Sequence, residues 1–174
     1  KSVNSNNEEE IDPQEFEKYF KKYGRFTAGT ETKYSKSLIT GSSECQDLAK
    51  GFMVGTRFHS APVIRVFDAK PIQLGHTLKA DGRWRLFIFS DNNSSGQEDS
   101  KVLSLCKGLS ELNNSLIKTY TQKGLDIDSV FDVRAIFQMN HRNFNPSWLP
   151  SLLMPFKGKY NLIDYEKVFC PNFK

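Results

Sequence analysis

Trp84-Arg-Leu-Phe-Ile-Phe89 runs directly into Ser90-Asp-Asn-Asn-Ser-Ser95. The first six residues are nearly continuous in apolar side chains, the pattern of a central strand buried on both faces. The next six are hydroxyls, amides and one carboxylate, which reads as a loop. A helix is expected from about Glu98 to Leu112, because Val102, Leu105, Cys106 and Leu109 fall on one face. Val130-Phe-Asp-Val-Arg-Ala-Ile-Phe137 is a second strong strand, with a turn around Leu116, Ile117 and Tyr120 before it. Strand, loop, helix and strand in that order make a β-α-β unit.

Working outward, Val63 to Phe67 and Pro71 to Leu74 are shorter strand candidates on the N-terminal side. A helical turn is expected near His76 to Leu78, and Ala80-Asp-Gly82 signals a reverse turn. On the C-terminal side, Asn145-Pro146 opens a short helix carrying Trp148, Leu149, Leu152 and Leu153, closed by Pro155. Tyr160 to Ile163 and Lys167 to Phe169 supply a terminal strand pair. The order predicts an α/β domain with a mixed sheet flanked by helices. No internal repeat is present.

The N-terminal part is different. Residues 1–10 are rich in Ser, Asn and Glu and are expected to be a disordered tail. Residues 11–46 divide into a helix and an extended stretch. Asp12 is placed to cap the helix, Pro13 suits its first turn, and Gly24 is expected to end it. Phe16, Tyr19, Phe20 and Tyr23 recur at helical spacing, a stripe with no partner in so short a helix. From Arg25 to Gln46 the chain is irregular, as if lying across a neighbour. The main domain is expected over residues 47–174, beginning in earnest near Gly51.

Composition narrows the function classes. A chain of 174 residues suffices for one domain with a core of its own, and its fourteen Phe and six Tyr imply a core or interface of large rings. The net charge of +4 is dispersed, Lys21-Lys22 being the one basic pair on a helix, so no nucleic-acid partner is expected. No apolar run approaches the ~20 residues of a membrane span, and the acidic start carries no secretory signal. The chain opens on Lys1, as expected of a processed chain or a piece of a longer one. Cys45, Cys106 and Cys170 form no CxxC pair and have no zinc-ligand spacing to the three His, so thiols in a reducing, cytoplasmic setting are expected.

Two sets of segments resemble a known family. Gly51-Phe-Met-Val-Gly-Thr-Arg-Phe-His-Ser-Ala-Pro-Val63 leads on to Asp68-Ala-Lys-Pro-Ile-Gln-Leu74 and Asp81-Gly-Arg-Trp-Arg-Leu-Phe-Ile-Phe89. Phe131-Asp-Val-Arg134 continues to Lys157-Gly-Lys-Tyr-Asn-Leu-Ile-Asp-Tyr-Glu-Lys-Val-Phe169. These blocks resemble the C-terminal domain of fungal phenol 2-monooxygenases, flavin-dependent aromatic hydroxylases. The resemblance implies a thioredoxin-like fold and a role in dimerisation. Phe16 to Ile39, with Phe26-Thr-Ala-Gly29, resembles the end of the hydroxylase portion. FAD and NADPH are implied for a full-length family member, and a homodimer or an attached hydroxylase domain as partner.

For this chain the resemblance carries over no catalytic, cofactor-binding or metal-binding residue. The dinucleotide fingerprint GxGxxG is missing, since Gly24, Gly29, Gly41, Gly51 and Gly55 are too far apart. A thiol oxidoreductase needs a thiolate where a strand meets a helix N-terminus. Ser90 to Ser95 holds none, and Cys106 falls well inside the helix. His59-Ser60 are neighbours in an extended chain and point to opposite faces. His76 and His141 have no evident acidic partner. Asp126-Ile-Asp128 lacks the Gly and distal Glu of a calcium loop and reads as a turn. A phosphate cradle at Asn92 to Gly96 is a sharper reading than the ordinary capping of the following helix, which is preferred. The expected function is a non-catalytic dimerisation or scaffold domain. The alternatives are a C-terminal fragment of an intact FAD/NADPH hydroxylase and a stand-alone binding protein. Trp148, Leu149, Leu152, Phe156 and Tyr160 are candidates for its contact surface, with the core as the competing place for most of them.

Overall fold

The computed structural model describes residues 12–91 and 100–172, without the Trp148 side chain. Helix α1 spans Pro13–Thr27. The Asp12 side chain accepts the Gln14 N–H at 3.0 Å, so the start is capped as its sequence predicts. Gly24 does not end the helix. Its carbonyl accepts the Ala28 N–H at 2.8 Å, and the chain leaves the helix at Gly29, in the left-handed region with φ +68°. The helix thus stops where a residue without Cβ can reverse the backbone.

Packing divides the chain between His59 and Ser60. In the first unit the chain beyond α1 is irregular. Gln46 organises it by donating to the carbonyls of Ala49 and Phe52 and accepting from the Val54 N–H, each at 2.8 Å. Gly55 sits at φ +84°, where a Cβ would lie 2.3 Å from the Tyr34 carbonyl oxygen, so only glycine fits.

The second unit holds a five-stranded sheet and a two-stranded hairpin. In chain order the elements are β1 Pro62–Arg65, β2 Lys70–Gln73, a 3₁₀ turn Leu74–Thr77, β3 Trp84–Phe89, α2 Lys101–Ser110 and α3 Leu116–Tyr120. They continue with β4 Phe131–Ile136, 3₁₀ turns at His141–Asn143 and Pro146–Trp148, β5 Phe156–Lys157, β6 Leu162–Ile163 and β7 Val168–Pro171. The sheet order is β2-β1-β7-β4-β3. Strand β4 runs parallel to both β3 and β7, while β1 is antiparallel to β2 and β7. This mixed sheet with flanking helices is consistent with a thioredoxin-like fold.

Three expectations are corrected. Strand β3 is the last strand of the order among the described residues, with only Ile88 of its six residues buried, and it is β4, between β7 and β3, that is buried from Asp132 to Ile136. An apolar run fixes neither a strand's place in the order nor how fully its faces are covered, and Trp84 and Phe89 at the two ends of this one are exposed. The segment 160–163 does not join the main sheet. It pairs with β5, Phe156 opposite Ile163 and Lys157 opposite Leu162, and β7 enters the sheet alone. The helix expected from Asn145 is one 3₁₀ turn, after which Leu149, Leu152 and Leu153 are buried by a chain of turns.

The core gathers Val133, Ala135 and Phe137 from β4 and beyond, Val168 and Cys170 from β7, Val102 and Cys106 from α2, and Ile117 from α3. Ser100 caps α2, its Oγ accepting the Val102 N–H at 3.2 Å. The part of the expected helix before Ser100 and the loop from Asn92 to Ser95 lie outside the described residues.

Candidate functional site

At the end of β3, Ser90 donates its backbone N–H to the Ile136 carbonyl and accepts the Gln138 N–H on its Oγ, both at 3.0 Å. It is buried and ties the ends of β3 and β4 together. The thiols are elsewhere. Cys106 and Cys170 are fully enclosed, and burial pushes each thiol up to about 12, so neither is a thiolate near neutral pH. Cys45 is exposed.

The other singled-out residues have separate tasks. The His59 ring stacks on Phe52 at 6.5 Å. Ser60 donates to Gln73 Oε1 at 3.2 Å and accepts the Gly75 N–H at 3.0 Å, fixing the end of β2. His76 and His141 lie in 3₁₀ turns. Leu149 and Leu152 belong to the core, whereas Phe156 and Tyr160 of the same candidate surface are exposed, at 55% and 72%.

What the sequence reading missed is a buried ion network. Asp132 and Arg134 lie two apart on β4 and so share a face, where Arg134 Nε and Nη2 donate to Asp132 Oδ2 at 3.0 and 2.9 Å. Lys167, 1% exposed at the entrance to β7, donates to Asp132 Oδ1 and, at 2.6 Å, to Asp128 Oδ2. Asp128 also receives Lys157 Nζ at 2.8 Å and Arg83 Nη1 at 3.2 Å. Lys157 bridges on to Asp164 Oδ2 at 3.2 Å. Arg83 and Arg85 share Asp81, and Arg85 Nε lies 3.1 Å from Asp132 Oδ2 as an ion pair without hydrogen-bond alignment. Five cations thus face four carboxylates.

The electrostatics follow from burial and pairing. Burial alone raises the carboxyls of Asp128 and Asp132. Lys157 and Lys167 outweigh it at the first, Lys167 and Arg134 at the second, so both are held below the ordinary carboxylate range. Burial lowers Lys157, and Asp128 and Asp164 more than reverse this. The groups are therefore locked as ions and serve as anchors. The signal for them was legible in one respect: two charges inside an eight-residue apolar run require buried partners.

The network fastens the β5–β6 hairpin. A two-residue ladder has little stability of its own. Here Lys157 is pinned from β5, the Gly158 N–H donates to Asp126 Oδ1 at 2.9 Å, and the Asp164 N–H donates to the Pro155 carbonyl at 2.9 Å. Asp126 Oδ1 and Asp128 Oδ2 are thus occupied by the chain's own donors, while the buried Asp128 Oδ1 accepts no hydrogen bond. Beside the hairpin a groove of about 450 Å³ is lined by Phe67, Ile163 and Tyr165 with Arg65, Asp68 and Glu166. Arg65 is held between Asp68, at 2.5 Å, and Glu166, at 2.7 Å, leaving that trio with one net negative charge.

A mixed α/β domain with a filled ionic interior, an exposed apolar hairpin and a Ser at the strand end defines the class: a packing module on a thioredoxin-like scaffold. The chain belongs to the phenol hydroxylase C-terminal dimerisation domain family, whose model matches residues 32–174. It is 54% identical over 164 residues to a 3-hydroxybenzoate 4-monooxygenase of Comamonas testosteroni, covering 94% of this chain and 26% of that protein. An FAD-dependent monooxygenase, terD, of Aspergillus terreus is 31% identical over 89% of this chain and 25% of its own length. A phenol 2-monooxygenase, fsqG, of Aspergillus fumigatus is 33% identical over 46% of this chain and 14% of its own length. The chain spans about a quarter of the first two, and its similarity reaches bacterial as well as fungal proteins.

Among the described residues no glycine fingerprint follows a strand, and at the end of β3 the Ser90 Oγ is taken by the Gln138 N–H.

Proposed function

We propose that this chain joins two copies of a flavin-dependent aromatic hydroxylase and takes no direct part in its chemistry. The supporting observation is the mismatch of coverage: 94% of this chain aligns with a monooxygenase of which it represents 26%. FAD and NADPH then belong to the remaining three quarters, together with the aromatic substrate. The exposed ring stripe of α1, which lies before residue 32 and so outside the matched dimerisation domain, belongs to the junction with that portion. The two enclosed thiols and the lack of a cystine pair support a reducing cytoplasmic setting.

Sedimentation of the intact protein that carries this chain tests the reading. A dimer with visible flavin absorbance is expected, and the isolated 174-residue chain should carry no flavin. A strict monomer at high micromolar concentration, or flavin bound by this chain alone, refutes it.

A further inference from the structure

We infer that the β5–β6 hairpin and the groove beside it form the contact between two copies of this chain, each hairpin tip entering the other copy's groove. The inference rests on the dimerisation reading above and assigns it a surface. Phe156, Tyr160 and Leu162 project from the hairpin at 55%, 72% and 67% exposure. Phe156 stands opposite Ile163 and Lys157 opposite Leu162, so Phe156 and Leu162 occupy opposite faces of the ladder with Tyr160 at the turn between them. A recess that receives the tip of a second copy covers rings on both faces at once.

A twofold contact must be self-complementary, because each patch meets its own duplicate. This face meets that demand in shape and in charge. It has a projection, the Lys159-Tyr160 tip, and a recess lined by Phe67, Ile163 and Tyr165. It has a cation, Lys159 over the Tyr160 ring at 4.7 Å, and a net negative trio of Arg65, Asp68 and Glu166 at the recess. Tyr160 seated in the opposite groove brings Lys159 to the opposite Glu166.

The ion network supplies the remaining argument. Lys157, Asp126 and Asp164 hold the hairpin in place before any partner arrives, so little ordering entropy opposes association. A ladder of two residue pairs fixed by buried charges, with its apolar side chains turned outward, is built to present them. Leu112, Leu116 and Tyr120 are exposed apolar residues of the same unit away from the hairpin.

Dilution series by sedimentation velocity on the intact protein test the assignment. Tyr160→Ala is expected to weaken the dimer roughly thirtyfold, as an anchor residue does. Lys159→Glu and Glu166→Lys are each expected to weaken it up to about fivefold, and the double variant to restore it to within about twofold. Leu116→Ser and Tyr120→Ser should leave the constant unchanged. Near-UV circular dichroism checks that each variant is folded, and the charge swap gives a readout that misfolding cannot mimic, since the second change must recover the dimer. Folded hairpin variants with the parental constant, or loss of the dimer on Leu116→Ser instead, overturn the face while leaving dimerisation intact. A monomeric parent protein overturns both.

Discussion

Lys167 and Phe20 have exchanged the places that hydropathy assigns them. The lysine is enclosed at the entrance to β7, and the phenylalanine stands in water on α1 with Phe16, Tyr19, Tyr23 and Phe26. The two inversions have different origins. The buried charge is answered within its own unit, by Asp128 and Asp132. The exposed rings find no enclosure within theirs, since no residue of α1 is buried. A misplaced polar group thus reports on the fold's interior, and a misplaced apolar one on a surface the unit leaves uncovered.

The largest expected effect breaks the first half of that contrast. Lys167→Met removes the ammonium that Asp128 and Asp132 share, leaving each its remaining partners, and should cost about 3 kcal/mol, read as a lower urea midpoint of the second unit. An unchanged midpoint would show that the network is not coupled to folding. Acid should act on the same groups. Asp128 and Asp132 are depressed in the folded chain, so their contribution is present above the unfolded value of about 3.9 and is lost as pH falls through their folded values. Urea midpoints should therefore hold from pH 7 to about 5 and drop progressively below about 4. Lys157→Met removes a half-exposed anchor and should cost about 1 kcal/mol. Its clearer mark is faster amide exchange at Gly158, whose N–H depends on the hairpin staying close to Asp126. The smallest effect sharpens the second half: Phe16→Ser with Phe20→Ser should change the second unit's stability by less than about 0.5 kcal/mol. A larger loss would mean that those rings support the sheet.

Much of the second unit was legible before its structure. Trp84 to Phe89 announced β3 to the residue, and Val130 to Phe137 announced β4 with one residue to spare at each end. Both strands are long enough for side-chain pattern to outweigh context. Their lateral order was not legible, because periodicity describes faces and never neighbours. The hairpin was half seen. Leu162-Ile163 carried strand character, but Phe156-Lys157 is two residues after a proline, too short for any pattern. Gly24 misled because a glycine inside a helix and one beyond its end look alike in sequence, and only Gly29 has the reversed backbone. The ion network was hidden by distance. Asp128, Asp132, Lys157 and Lys167 are spread over forty positions of chain, and only folding makes them neighbours.

The three free thiols give the molecule a stopwatch. Cys45 stands in water and reacts with an alkylating probe at once, while Cys106 and Cys170 are sealed and hold their protons until about pH 12. Mass added in one early step and two late ones would time how often the sheet opens. The late steps should move together, because one cysteine lies on α2 and the other on β7, across the same core.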